Sequence, residues 1–225
     1  MSPNGKCNEV WRTGVIPPSF IGLAGDWCGD QSAILLGFVW SAYDQLKQDT
    51  SMINNRDLER SITQLLEARV HRAMSGDEPF YVQHGPYERE TMMPAPAQPP
   101  QYDMAFVLNV DERIMWPLEA KVLETALAVS DYVDEVRIQF LTCRYAPFSG
   151  EGAMLGYLLA GTTTAAFKCI EAKLSSTLEG HPKFSTRPHK VSRHRRMVPA
   201  HKLYPADFLC HHLLLEFFGI QRQKA

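Results

Sequence analysis

The chain has 225 residues, 45% of them hydrophobic and 21% charged, with a net charge of −2. That length accommodates one sizeable core, and the composition is that of an ordinary globular protein. A net charge so near zero gives no argument for nucleic-acid binding from global charge, and no apolar run approaches the roughly 18 to 20 residues that cross a bilayer. In chain order, the polar segment Met1 to Pro18 lacks the basic-then-apolar layout of a signal peptide, so a cytoplasmic protein is expected. Ser32 to Leu46 is apolar nearly all round and predicts a buried helix. Asn54 and Asn55 are cap-type residues ahead of an amphipathic helix over Arg56 to Met74. Phe80 to Gln83, Asp103 to Leu108 and Ile114 to Leu123 predict three strands, separated first by the four-proline segment Met92 to Gln101, an extended loop. A helix should follow. Val136 to Cys143 then predicts a strand, Gly152 to Leu174 a glycine-bearing helical stretch, and Ala206 to Phe218 a last helix opened by Pro205 and closed by Gly219. This order is an α/β pattern, a mixed central sheet flanked by helices.

Five cysteines (Cys7, Cys28, Cys143, Cys169, Cys210) stand singly, which argues against a zinc ribbon or a disulfide framework. Trp27 to Asp30 reads as a turn, with nothing beside Cys28 to activate its thiol. The glycines of Arg144 to Gly161 fit neither a P-loop nor a dinucleotide fingerprint, so Gly150 and Gly152 read as the entry to a core helix over Met154 to Leu159. Lys183 to Lys202 contains seven basic residues and no acidic one. Lys190, Arg193, His194, Arg195 and Arg196 within it are candidates for phosphate contacts, and a solvated surface loop is the competing reading. The dispersed histidines show no zinc-ligand spacing; His211 and His212 read as packing and capping residues of the last helix.

The informative pair of segments is Tyr102 to Leu108 (YDMAFVL) and Leu118 to Leu123 (LEAKVL). Alternation along a strand puts Glu119 and Lys121 on one face of an otherwise apolar run, where their burial is costly unless something uses them. Asn109 to Arg113 is the only polar break between the two strands, and a hairpin symmetric about Asp111 sets Asp103 opposite Glu119. Directly paired side chains have Cβ atoms about 4.5 to 5.5 Å apart, so the two carboxylates need a cation between them. Hard oxygen ligands without a nearby thiolate favour magnesium, with manganese as the alternative. On a helical wheel Glu59 falls at the edge of the stripe formed by Leu58, Ile62, Leu65, Leu66 and Val70, whereas Glu67 points away. Glu59 is therefore the preferred helical acid, with Glu88 and Glu90 as further candidates.

An Asp, fifteen residues, then Glu-x-Lys on adjacent strands, after an acidic helix and a first strand, resembles the PD-(D/E)XK nuclease superfamily over about Arg56 to Cys143. Tyr102 stands where the family's motif has proline, a position at which members vary. The resemblance implies one restriction-endonuclease-like domain over 1–225, with a core of about 54–175 and a C-terminal basic segment and helix over 181–219. It implies magnesium-dependent phosphodiester hydrolysis in DNA by Asp103, Glu119, Lys121 and Glu59, with metal held by Asp103 and Glu119. It further implies a setting in bacterial restriction or antiviral defence, with a homodimer or a partner subunit supplying targeting. The competing expectation is a catalytically silent nuclease-fold subunit that binds or assembles within a larger complex.

Overall fold

The computed structural model describes residues 18–90 and 99–220. The polar N-terminal segment, with Cys7, and the proline run over 91–98 lie outside them. Helix α1 (Pro18–Gln48) is longer than expected and runs straight through Trp27 to Asp30, so no turn forms there. Helix α2 (Leu58–Ala73) buries the stripe Leu58, Ile62, Leu66 and Val70. Its N-cap is Asp57, whose side chain accepts from the Arg60 N–H. Asn54 instead supports the approach, accepting from the Arg56 N–H at 3.0 Å.

Strands β1 (Phe80–His84), β2 (Met104–Leu108) and β3 (Met115–Leu123) form where three strands are expected, β2 and β3 as the expected hairpin, and β1 joins β2 antiparallel to make a meander. The β2–β3 register pairs Met104 with Leu118 and Phe106 with Trp116, the register of a hairpin symmetric about Asp111. Helix α3 (Ser130–Glu135) continues into a π-helical turn over Val136–Phe140, in place of the strand expected there. Strand β4 (Glu151–Leu158) and helix α4 (Thr163–Leu174) divide the stretch that reads as one helix. Two-residue β5 (Glu179–Gly180) and β6 (His189–Arg195) follow, and β7 (Asp207–Glu216) stands in place of the last helix expected over Ala206 to Phe218.

Among the described residues seven strands join one mixed sheet in the order β1-β2-β3-β4-β7-β6-β5, with β3, β4 and β7 parallel. Helices cover both faces. On one, α1 and α2 pack Leu35, Val39, Trp40, Ile62 and Leu66 against Phe106, Trp116, Leu155 and Leu213. On the other, α3, the π-helical turn and α4 pack Val133, Phe140, Phe167 and Ile170 against Val107, Met154, Leu158 and Leu214. Central strands covered on both faces are apolar throughout. That explains why β4 and β7 lack the alternation that would separate them from buried helices.

Gly156 in β4 shows how tightly these layers close. A Cβ there would lie 2.6 Å from Leu214 Cδ2 and 2.9 Å from Leu123 Cδ1. Gly156→Val should therefore destabilise the protein by about 1 to 3 kcal/mol through overpacking, read as a lower urea midpoint at unchanged slope. A midpoint equal to that of the wild type would contradict this packing.

Candidate active site

The site forms where β3 outruns its neighbour. Strand β2 pairs with β3 only as far as Met104 and Leu118, while β4 pairs with β3 through Leu123. Past Leu118, the β3 backbone N–H groups on the β2 side need other acceptors. The Asp103 carboxylate takes the Ala120 N–H at 2.8 Å, and the Glu59 carboxylate takes the Val122 N–H at 3.1 Å. Two acids far apart in sequence are thus fixed along one edge by the strand's own hydrogen-bonding need. Glu59 is anchored further by its place in the first turn of α2. Thr63 Oγ1 donates to the Glu59 carbonyl at 2.7 Å, so its oxygen accepts from the buried Tyr157 hydroxyl of β4 at 2.8 Å.

Alternation along β3 puts Glu119 and Lys121 on one face, as expected, and that face is the one α3 covers. Glu119 is 5% exposed. Lys121 Nζ lies 3.0 Å from Glu119, 3.4 Å from Glu59 and 3.6 Å from Glu135 at the end of α3. Lys121 thus places one positive charge among three of these carboxylates.

The electrostatics follow from burial and crowding. Burial, together with the charges of Asp103 and Glu135, pushes the Glu119 carboxyl well above the usual range, and Lys121 offsets this only in part. Burial also raises Glu59, against the pull of Lys121. For Lys121, burial favours the neutral amine, but the carboxylates of Glu119, Glu59 and Asp103 outweigh it and hold the ammonium above its ordinary pKa. Tyr145, whose hydroxyl donates to the Gln101 carbonyl at 2.6 Å, is raised by burial and then by Glu119, Glu135 and Asp103.

Two clefts flank Glu59. One, of about 340 Å³, is lined by Glu59, Arg60, His84, Gln101 and Asp103. The other, of about 440 Å³, is lined by Glu59, Lys121, Asp131, Tyr132 and Glu135. Burial lowers the His84 pKa, and the Asp103 charge beside it works in the opposite direction.

Among the described residues no three His, Cys, Asp or Glu side chains form a ready-made metal cage. The donor set nevertheless suits a hard cation. Among the described residues Glu119 Oε2 and Glu135 Oε2 have no hydrogen-bond partner, and an unpartnered buried carboxylate oxygen is expensive. All of the acids are oxygen donors of the kind that magnesium or manganese takes.

Asp103, Glu119, Lys121 and Glu59 are thus brought together. Glu135 is the member that sequence reasoning missed, because a strand was expected from the next residue onward. Glu67 stays away from the cluster, its carboxyl raised by burial beside His71. Glu88 is buried elsewhere, accepting from the Tyr102 hydroxyl, and Glu90 pairs with Lys202 and Tyr204.

The basic segment is not a loop over the site. Lys190, Arg193, His194 and Arg195 lie on β6, separated from β3 by β4 and β7, about 14 Å away at ordinary strand spacing. Arg196 is buried and donates to the carbonyls of Pro205 and Ala146, which corrects its assignment as a phosphate contact. Lys190 reaches the Leu178 carbonyl at 3.4 Å, and Arg195 pairs with Asp207 at 3.0 Å. Arg193 is exposed, while His194 is half-buried against Ser192. His211 and His212 lie on opposite faces of β7 rather than at a helix start. His211 links His189 to Glu151, and His212 links Tyr132 to Ser192. Comparisons with protein-family models, with curated proteins and with solved structures found no match to this chain.

Proposed function

We propose that this chain is a divalent-metal-dependent nuclease hydrolysing phosphodiester bonds in DNA, with a restriction-endonuclease-like fold. The observation that carries the reading is the buried Glu119 Oε2, without a hydrogen-bond partner among the described residues, inside a cluster of Asp103, Glu59 and Glu135. Burying so many carboxylates is costly, and an ammonium alone offsets one charge. Asp103 and Glu119 would hold the cation, whose chemistry is to acidify a bound water and to neutralise charge on a phosphoryl centre. Lys121 would donate to the attacking water or to a phosphoryl oxygen. Glu59, held by the Val122 N–H, sets the position of the Lys121 ammonium. Arg60 and His84, lining the cleft beside Asp103, are suited to contact flanking phosphates. The order α2, three-strand meander, α3, parallel β4 supports the resemblance to PD-(D/E)XK nucleases.

Plasmid digestion tests the proposal. The protein should nick or linearise supercoiled DNA with magnesium and leave it intact with EDTA. Activity that persists in EDTA would defeat the metal-dependent reading. Inactivity with both DNA and RNA, alone and with partner subunits from the same system, would favour the silent binding subunit.

A further inference from the structure

Asp103 stands just outside β2, so sheet pairing alone does not fix it. From the β1 side its segment is held by two backbone bonds, Gly85 N–H to the Asp103 carbonyl and Tyr102 N–H to the Pro86 carbonyl, each 3.0 Å. A second set of ties comes from the loop between the π-helical turn and β4. The Tyr145 hydroxyl donates to the Gln101 carbonyl at 2.6 Å. Its ring meets that of Tyr102 edge-on, with centroids 4.7 Å apart, and the Ala146 N–H donates to the Tyr102 hydroxyl at 3.0 Å. The two residues before Asp103 are thus both gripped by this loop.

The loop is itself held in an unfavourable conformation. Cys143 and Ala146, on either side of Tyr145, have φ of 60° and 50°, the left-handed region that a Cβ disfavours. Such strain persists only where the surroundings over-determine it. Here the Tyr145 N–H donates to the Gln139 carbonyl at 2.9 Å, the Tyr145 ring packs edge-on against Phe140, and the Ala146 carbonyl accepts from the buried Arg196 at 2.8 Å. Tyr145 is 5% exposed and lines neither cleft, so it is placed to act on the Asp103 segment rather than on a ligand. We infer that Tyr145 is a positioning residue of the candidate site: through the Gln101 carbonyl and the Tyr102 ring it sets the Asp103 carboxylate on the Ala120 N–H. This rests on the reading of Asp103 as a site acid and deepens it. The burial and neighbouring acids that raise Tyr145 keep its hydroxyl protonated, and hence a donor, at neutral pH.

Native-state hydrogen exchange tests this without reference to activity, read by NMR as the ratio of two β3 amides. The Ala120 N–H is held by Asp103 and the Val122 N–H by Glu59, so loosening Asp103 alone moves only the first. Tyr145→Phe keeps the ring and should speed Ala120 exchange about fivefold relative to Val122, the scale of one lost hydrogen bond. Tyr43→Phe, which removes a hydroxyl bonded to the Glu216 backbone instead, should leave the ratio as in the wild type. General destabilisation speeds both amides and cancels in the ratio. An unchanged ratio in Tyr145→Phe would overturn the positioning role. Cleavage supplies a second readout: kcat of Tyr145→Phe should fall about tenfold with KM for DNA unchanged. A raised KM at unchanged kcat would show substrate contact and overturn the inference as well. If the wild type cleaves no DNA, the nuclease reading fails, and the exchange ratio still decides whether Tyr145 places Asp103.

Discussion

Lys121→Ala and Glu119→Gln should each reduce magnesium-dependent plasmid cleavage by about two to three orders of magnitude, the usual scale for losing a group aimed at transition-state charge. The two substitutions fail for different reasons. Glu119→Gln keeps the shape of a side chain that is 5% exposed but removes the charge that would hold the cation. Lys121→Ala leaves the acids in place and removes the donor. It also leaves Glu59, Glu119 and Glu135 facing one another without their shared ammonium. Removing one partner of a buried ion pair costs about 3 kcal/mol or more, so thermal melts must accompany the activity measurements. Combining Lys121→Met with Glu119→Gln should recover much of the lost stability, while activity stays lost. Glu67→Gln, on the same helix as Glu59 but outside the cluster, should cleave like the wild type. Cleavage by Lys121→Ala at the wild-type rate would show that the chemistry, if any, lies elsewhere.

Glu88→Gln should make the protein more stable at pH 8 by about 3 kcal/mol, and the gain should vanish near pH 4.5. Glu88 is 1% exposed, and burial lifts its carboxyl from 4.5 to about 7, while the Tyr102 hydroxyl and the backbone N–H groups of Glu90 and Arg89 pull the other way. The folded-state pKa lies above the unfolded one. The contribution of this group to stability is therefore complete below about 4.5 and is lost as the pH rises to about 7, at roughly 1.4 kcal/mol per pH unit. Glutamine cannot ionise and is spared that loss. The other raised carboxyls, Glu59 and Glu119, bend the wild-type curve in the same direction, so the comparison must be between the two proteins at each pH. Chemical denaturation from pH 4.5 to pH 8 checks the prediction, and parallel curves for the two proteins would contradict it. The effect bears on function through Tyr102, whose hydroxyl donates to Glu88 and accepts from the Ala146 N–H, next to Asp103 in the chain.

Three parts of the candidate site were legible in the residues because each depends on local periodicity. A single polar break between two apolar runs, centred on Asp111, sets the hairpin register, since a one-residue slip would turn every buried side chain outward. Strand alternation then places Lys121 beside Glu119, and the helical period of 3.6 residues places Glu59 at the edge of its apolar stripe. The elements after β3 were not legible in the same way. Met154 to Leu158 and Leu213 to Leu215 are buried on a sheet covered on both faces, and continuous burial erases the period that distinguishes strand from helix. Gly152 and Gly156, read as helical, sit in β4 where facing side chains leave no room for a Cβ.

What the sequence by itself determined, then, is the local half of this protein: the β2–β3 hairpin, the shared face of Glu119 and Lys121, and the acid on the preceding helix. Only the tertiary structure decided the rest. It carried Glu135 to Lys121 on the crossover that joins parallel β3 to β4, and it buried Arg196 against two carbonyls while seating the neighbouring basic residues on a distant strand. The physical reason is the range of the interactions. Register and amphipathic faces are set by residues a few positions apart. Which charge meets which depends on strands paired across the whole chain, and no repeat in the residues encodes that pairing.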